Sequence, residues 1–288
     1  MNLLNETINL AKLYGVKPTK NRGQNFLIDE NVYEKIISTA EIKTDETILE
    51  IGPGLGFLTT RLASVTKKVF AIELDKKLAA ALTNRLELEQ ISNVEIFNED
   101  VMNFSGEWVK PVSKIDNSKL VVVANLPYTI TSIFLRFFVG GNIANIMPAR
   151  FVLMLQKEVA ERIIARPGAM SLLALSVQLY TEPKIVEIVS RKSFWPSPEV
   201  NSAIVKFTRN DQWLKLLAKT KGTEKALLRL MKIGFSARRK MLKANISNGY
   251  PVKPSEVASI LEQVRINPFA RAQELSLNDW INLLPFFN

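Results

Sequence analysis

Short, mostly apolar runs alternate with longer stretches of helical periodicity over the first two-thirds of the chain. Residues 48–51, 69–74, 94–97, 120–124, 151–155, 184–189 and 203–207 are mostly apolar or β-branched and too short for helices, so they predict strands. Residues 76–88, 132–139, 158–164 and 171–179 carry apolar positions at helical spacing. The early runs do not alternate with polar residues. Strands of that kind have both faces covered, as in a parallel sheet wrapped by helices. A first helix over residues 3–14 ends at Gly15 and Pro18, and Asp29 is a good N-cap for a helix over 31–40. From Asp211 onward the pattern predicts helices alone: 212–218, 224–246, 255–263 and 277–284. The expected organisation is an α/β domain over 1–208, with an N-terminal basic arm within 1–24, followed by a small all-α domain over 209–288.

In the first strand the apolar run enters Gly52-Pro-Gly54-Leu-Gly56, and a helix-permissive segment follows from Phe57. Strand, tight turn and helix start then lie together, and glycines let a ligand approach the backbone. In open α/β sheets ligands sit beyond the carboxyl ends of the strands. After the second strand comes Glu73, with Asp75 close by; after the third, Asp100; after the fourth, Asn125-Leu-Pro-Tyr128. Glu73 lies about 20 residues past the glycines, where a carboxylate accepts from both hydroxyls of a ribose. Asp100 suits an adenine amino group. The nicotinamide fingerprint places a third glycine where this chain has Phe57, which disfavours a pyrophosphate cradle. S-adenosylmethionine fits better.

Asn125, Leu126, Pro127 and Tyr128 are the candidate catalytic group. The Asn125 side-chain oxygen and the Leu126 carbonyl would accept the hydrogens of a planar exocyclic amine and free its lone pair. Pro127 stiffens the turn without a competing N–H. Tyr128 would stack on the base, and Phe194, in the stiff Phe194-Trp-Pro196-Ser-Pro198 loop, would cover its other face.

Composition narrows the chemistry. The chain has neither cysteine nor histidine, which excludes disulfides, thiolate metal sites, and Ser-His or Cys-His catalysis. No metal is expected. No basic flank precedes a long apolar run at the start, so no signal peptide is expected, and 120–139 is too interrupted to span a membrane. A cytoplasmic monomer is the expectation. The net charge is +10, and residues 209–253 alone hold 12 Lys or Arg against Asp211 and Glu224, which is the whole of that excess. A neutral body with one basic segment points to a polyanion partner, nucleic acid first, and Lys17, Lys20 and Arg22 form a second basic arm.

Taken together, Gly23-Gln-Asn-Phe-Leu27, Glu50-Ile-Gly-Pro-Gly-Leu-Gly56, Ile72-Glu-Leu-Asp75, Asn125-Leu-Pro-Tyr128, Leu155-Gln-Lys-Glu-Val159, Phe194-Trp-Pro-Ser-Pro198 and Phe235-Ser-Ala-Arg-Arg-Lys240 stand in an order that resembles the bacterial small-subunit (16S) ribosomal RNA adenine dimethyltransferases. The resemblance covers nearly the whole chain. It implies a Rossmann-like class I S-adenosylmethionine-dependent methyltransferase sheet with an antiparallel last strand and a small helical domain. It implies that Asn25, Leu27, Gly52, Gly54, Glu73, Asp100 and Asn125 hold S-adenosylmethionine, that Tyr128 and Phe194 flank the target adenine, and that Arg238, Arg239 and Lys240 contact RNA. The implied activity is dimethylation of two adjacent adenines near the 3′ end of 16S rRNA, in the small subunit or its precursor. Met170-Ser171 stands where many members carry Tyr-Gly. The rival readings are a large-subunit adenine methyltransferase and a non-catalytic assembly factor.

Overall fold

The computed structural model describes residues 2–18, 24–127, 129–139, 146–220 and 222–287. In chain order the first elements are α1 (Leu3–Leu13), β1 (Phe26–Leu27), α2 (Glu30–Ala40), β2 (Thr47–Ile51), α3 (Phe57–Ala63), β3 (Lys68–Ile72), α4 (Lys76–Leu88), β4 (Val94–Phe97), α5 (Val109–Val112) and β5 (Leu120–Asn125). Then follow α6 (Thr131–Phe138), β6 (Arg150–Gln156), α7 (Lys157–Ile163), α8 (Leu172–Gln178), β7 (Thr181–Val189), β8 (Phe194–Trp195) and β9 (Ser202–Arg209). The chain closes with α9 (Gln212–Lys219), α10 (Glu224–Gly234), α11 (Leu242–Gly249), α12 (Pro254–Gln263) and α13 (Leu277–Leu283).

Two compact units form. One comprises Met1–Ala160 and Lys184–Thr208, the other Glu161–Pro183 and Arg209–Asn288. The sequence-drawn division placed 161–183 in the first domain. That segment is instead bonded to later chain: Gly168 N and Met170 N donate to the Gln273 carbonyl at 2.9 and 3.0 Å, and the Tyr180 hydroxyl donates to Glu224 Oε2 at 2.7 Å. Met170 is buried there, and Ser171 caps α8 by accepting from Ala174 N. Such pairings join segments far apart in the chain and leave no local mark.

The sheet has seven strands in the order β4-β3-β2-β5-β6-β9-β7. Strands β4, β3, β2, β5 and β6 pair in parallel, and β9 runs antiparallel to β6. Residues 120–123 of β5 are fully buried, as are Ile48, Leu49, Val152 and Leu153. This explains why the central strands read as continuous apolar runs. Strand order reverses between β2 and β5, so the connections leaving their carboxyl ends run in opposite directions and leave a crevice. At the opposite end of the sheet, Arg150 donates to both Glu46 carboxylate oxygens at 2.8 and 2.6 Å and to the carbonyls of Ala40 and Glu41. This ties the end of α2 to the start of β6.

Two features depart from the sequence reading. Residues 26–27 lie outside the strands expected from the sequence, yet Phe26 and Leu27 pair antiparallel with Trp195 and Phe194. The Phe26 and Trp195 rings stack at 6.4 Å, and the Ser193 hydroxyl donates to Asp29 Oδ2 at 2.8 Å. The expected helix 224–246 is also broken into α10 and α11 by a turn over 235–241. A Cβ at Gly234 would stand 2.3 Å from Trp280 Cη2, so close approach to the buried tryptophan requires glycine there. Asn245 Nδ2 then donates to the Gly234 and Ala237 carbonyls at 2.6 and 3.1 Å, satisfying groups exposed by the break. The cationic triplet Arg238, Arg239 and Lys240 therefore lies in an exposed turn, off the helix.

Candidate functional site

The site begins with the glycine turn after β2. Gly52, Gly54 and Gly56 all adopt left-handed φ values of +67°, +60° and +82°. At Gly56 a Cβ would meet Leu82 Cδ1 of α4 at 2.5 Å, so glycine lets α3 start against α4. At Gly54 a Cβ would stand 3.4 Å from the Phe26 ring, so β1 closes over the turn. Gly52 lies beside Pro127 and Asn125, which brings the end of β5 to the same place.

The next strand supplies the acid. Glu73 is buried directly after β3. Its Oε2 accepts from Gly54 N at 3.0 Å and its Oε1 from Asp75 N at 2.9 Å. Burial pushes its pKa up, and these backbone N–H groups oppose the rise. Asn98, after β4, donates to the Glu73 and Leu74 carbonyls at 2.8 and 3.3 Å, so the ends of β3 and β4 are locked together. Asp75 caps α4 by accepting from Lys77 N and Leu78 N. Asp100 Oδ1 accepts from Met102 N at 2.8 Å. After β5, Leu126 N donates to the Met154 carbonyl at 3.3 Å, and the Pro127 carbonyl accepts from Ile130 N and the Thr131 hydroxyl at 3.1 and 3.3 Å.

These strand ends enclose a cleft of about 290 Å³. Asn25, Leu27, Gly52, Gly54, Glu73, Asp100, Asn125, Leu126, Pro127 and Phe194 all line it, so these expected site residues converge on one place. Phe194 is buried there, held by the pairing of β8 with β1. Tyr128 lies outside the described residues, as do Lys20 and Arg22 of the basic arm. Lys17 is described and exposed. Arg238, Arg239 and Lys240 are exposed in the second unit and form no part of the cleft.

The sequence reading missed two properties of the cleft. One is its sign: Glu73, Asp75, Glu99 and Asp100 line it beside the buried Glu50, and no described lining residue is Lys or Arg. In a chain of net charge +10 this is a local inversion. It favours a ligand with positive charge and disfavours a pyrophosphate. The other is Glu50 itself. It is 1% exposed in the middle of an apolar strand, and neither its Oε2 nor the neighbouring buried Thr59 hydroxyl has a hydrogen-bond partner among the described residues. Burial pushes its carboxyl up to about 8, and the charge of Glu73 adds to the rise. The available signal was an acid inside an otherwise apolar strand. A buried acid facing a cleft is the kind of group that serves a ligand.

S-adenosylmethionine fits this donor and acceptor set. Its sulfonium and ammonium match the acid lining, its ribose diol matches a buried carboxylate, and its adenine matches apolar walls that include Leu27, Leu78 and Val101. The family model for ribosomal RNA adenine dimethylases matches residues 16–287. The chain belongs to the ribosomal RNA adenine dimethylase family. The ribosomal RNA small subunit methyltransferase A of Dehalococcoides mccartyi is 37% identical over 94% of this chain and 88% of that relative. The protein of the same name from Bacillus mycoides is 36% identical over 97% of this chain and 94% of its own length. Among solved structures, a dimethyladenosine transferase from Plasmodium falciparum superposes with a TM-score of 0.73 at 27% identity, covering 91% of this chain and 97% of that one. The 23S rRNA methyltransferase ErmE gives a TM-score of 0.67 at 25% identity, covering 91% and 99%. As a ribosomal RNA adenine dimethylase, the chain is an S-adenosylmethionine-dependent enzyme with the class I methyltransferase fold. No helix among the described residues is long and apolar enough to cross a membrane.

Proposed function

We propose that this enzyme dimethylates the exocyclic amines of two adjacent adenines near the 3′ end of 16S rRNA, in the small subunit or its precursor. It acts as a cytoplasmic monomer. The observation that carries the reading is the convergence of Asn125, Leu126 and Pro127 with Glu73 and Asp100 on one cleft. The shared name of the relatives at 36–37% identity supports the small subunit as substrate.

In this reading Asn25, Leu27, Gly52, Gly54, Glu73, Asp100 and Asn125 hold the cofactor. Bound there, S-adenosylmethionine supplies a methyl group on a sulfonium, already a good leaving group. The chain's own residues supply position. Glu73 is held by two backbone N–H groups, so its carboxylate is fixed for the ribose hydroxyls. The Asn125 side-chain oxygen and the Leu126 carbonyl accept the two amine hydrogens, which turns the nitrogen lone pair out of the ring. The Pro127 turn, bonded to Ile130 and Thr131, keeps these acceptors in place. Phe194 and Tyr128 hold the base from its two faces. No strong base is needed, consistent with a chain that has no histidine. Rate enhancement comes from orientation, which is worth several orders of magnitude for well-aligned reactants. Methyl incorporation into immature small subunits tests the proposal. Labelled large-subunit RNA with unlabelled small-subunit RNA would overturn the substrate assignment.

A further inference from the structure

In the second unit, Phe269 is 67% exposed, more than any other aromatic side chain among the described residues. It does not sit on a loose end. Asn267 Oδ1 accepts from Phe269 N at 2.9 Å, and the Asn267 carbonyl accepts from Ala270 N at 2.9 Å. Ala270 is buried, and its carbonyl accepts from Leu242 N at 2.8 Å. Leu242 opens α11, directly after the turn that carries Arg238, Arg239 and Lys240. The exposed ring is thus built onto a backbone bonded to the chain just after the cationic turn. Lys243, one position further along α11, holds its Nζ 4.5 Å from the Phe269 ring centroid. Arg271, two residues beyond the ring, is also exposed.

An apolar protein partner would call for more apolar surface around such a ring. The side chain recorded against the ring is the Lys243 ammonium, and the neighbouring turn carries three cations beside half-exposed Met241, a mostly cationic setting that selects a polyanion with flat, uncharged parts. A nucleic acid strand has that composition. With Lys243 against the ring and the side chain still 67% exposed, a second planar group can reach it, and the ammonium is placed for a neighbouring phosphate. Bases within a duplex are already stacked, so the matching element is unpaired. We propose that Phe269 is a stacking platform for an unpaired base of the RNA. Lys243 and the Arg238-Arg239-Lys240 turn hold the flanking phosphates. This rests on the reading that RNA is the substrate.

The test uses the full-length protein with protein-free small-subunit rRNA, and with a single-stranded oligoribonucleotide and its duplex. Phe269→Ala and Phe269→Leu are expected to weaken binding to the rRNA and the single strand about 5- to 100-fold. They should leave the salt dependence and S-adenosylmethionine affinity unchanged. Phe269→Trp retains affinity, and its emission is quenched by the single strand and not by the duplex. Wild-type affinity in Phe269→Ala overturns the proposal. So does wild-type affinity in Phe269→Leu, because the ring would then be dispensable. Weakened binding seen only on assembled particles would assign Phe269 to a protein partner and likewise overturn it. If the wild-type protein binds neither the rRNA nor immature small subunits, the functional reading falls with the proposal. If it binds and Phe269→Ala binds equally, the proposal falls alone.

Discussion

Replacing Glu50 with Gln isolates one buried ionisation at the base of the cofactor cleft. In the folded protein this carboxyl titrates at about 8, against 4.5 when unperturbed. The folded state therefore binds a proton more tightly than the unfolded chain does. The stabilisation this gives is fully present below pH 4.5 and is lost as pH rises toward 8. Across the whole interval the change is on the order of 5 kcal/mol, and between pH 6 and pH 8 about 2 kcal/mol. Glu73, raised in the same direction by burial, titrates beside it in both proteins. The comparison of wild type with Glu50→Gln therefore removes most of its contribution. Gln retains the shape and cannot ionise. For a unit of this size, 2 kcal/mol moves the melting temperature by about 4–8 °C. Thermal unfolding of the cofactor-free proteins at pH 6, 7 and 8 should show the variant gaining on wild type by that amount as pH rises. Melting temperatures that differ by a constant across this range would refute the assignment of a neutral, buried Glu50.

Three further outcomes follow from particular residues. Asn125→Ala should lower the methyl-transfer rate about 10²- to 10³-fold while RNA affinity is retained, measured by single turnover and filter binding; an equal fall in both would remove Asn125 from its role. Substituting Arg238, Arg239 and Lys240 together with Gln should weaken RNA binding and reduce the slope of log affinity against log salt by about 0.7–0.9 for each phosphate no longer neutralised, as read by a salt titration. Gly234→Ala should destabilise the second unit by about 1–3 kcal/mol in denaturant unfolding, because its methyl group would overlap the buried Trp280 ring.

The cofactor half of the site was legible because its signals are local. Gly52 to Gly56 sit next to the strand they terminate, and Glu73, Asp100 and Asn125 each close a strand whose apolar run is visible in sequence. Pairings between distant segments were not legible. Phe26 and Leu27 become a strand only because Trp195 and Phe194 come to lie beside them. The 161–183 segment joins the second unit through bonds to Gln273 and Glu224. The break over 235–241 was not legible either: Gly234 ends α10 against Trp280, and Asn245, eleven residues on, bonds the carbonyls the break exposes. Glu50 was hidden for another reason: an acid within an apolar strand is uninformative until the cleft beside it is known.

The central claim is that one cleft brings an activated methyl group and Asn125 to adenines of the small-subunit rRNA. It is tested most directly by incubating the protein with labelled S-adenosylmethionine and immature small subunits, then mapping the modified nucleotides by mass spectrometry of nuclease fragments. Two adjacent dimethylated adenines near the 3′ end are expected, formed about 10²- to 10³-fold more slowly with Asn125→Ala. Label confined to large-subunit RNA, to a base other than adenine, or unchanged in Asn125→Ala would contradict it.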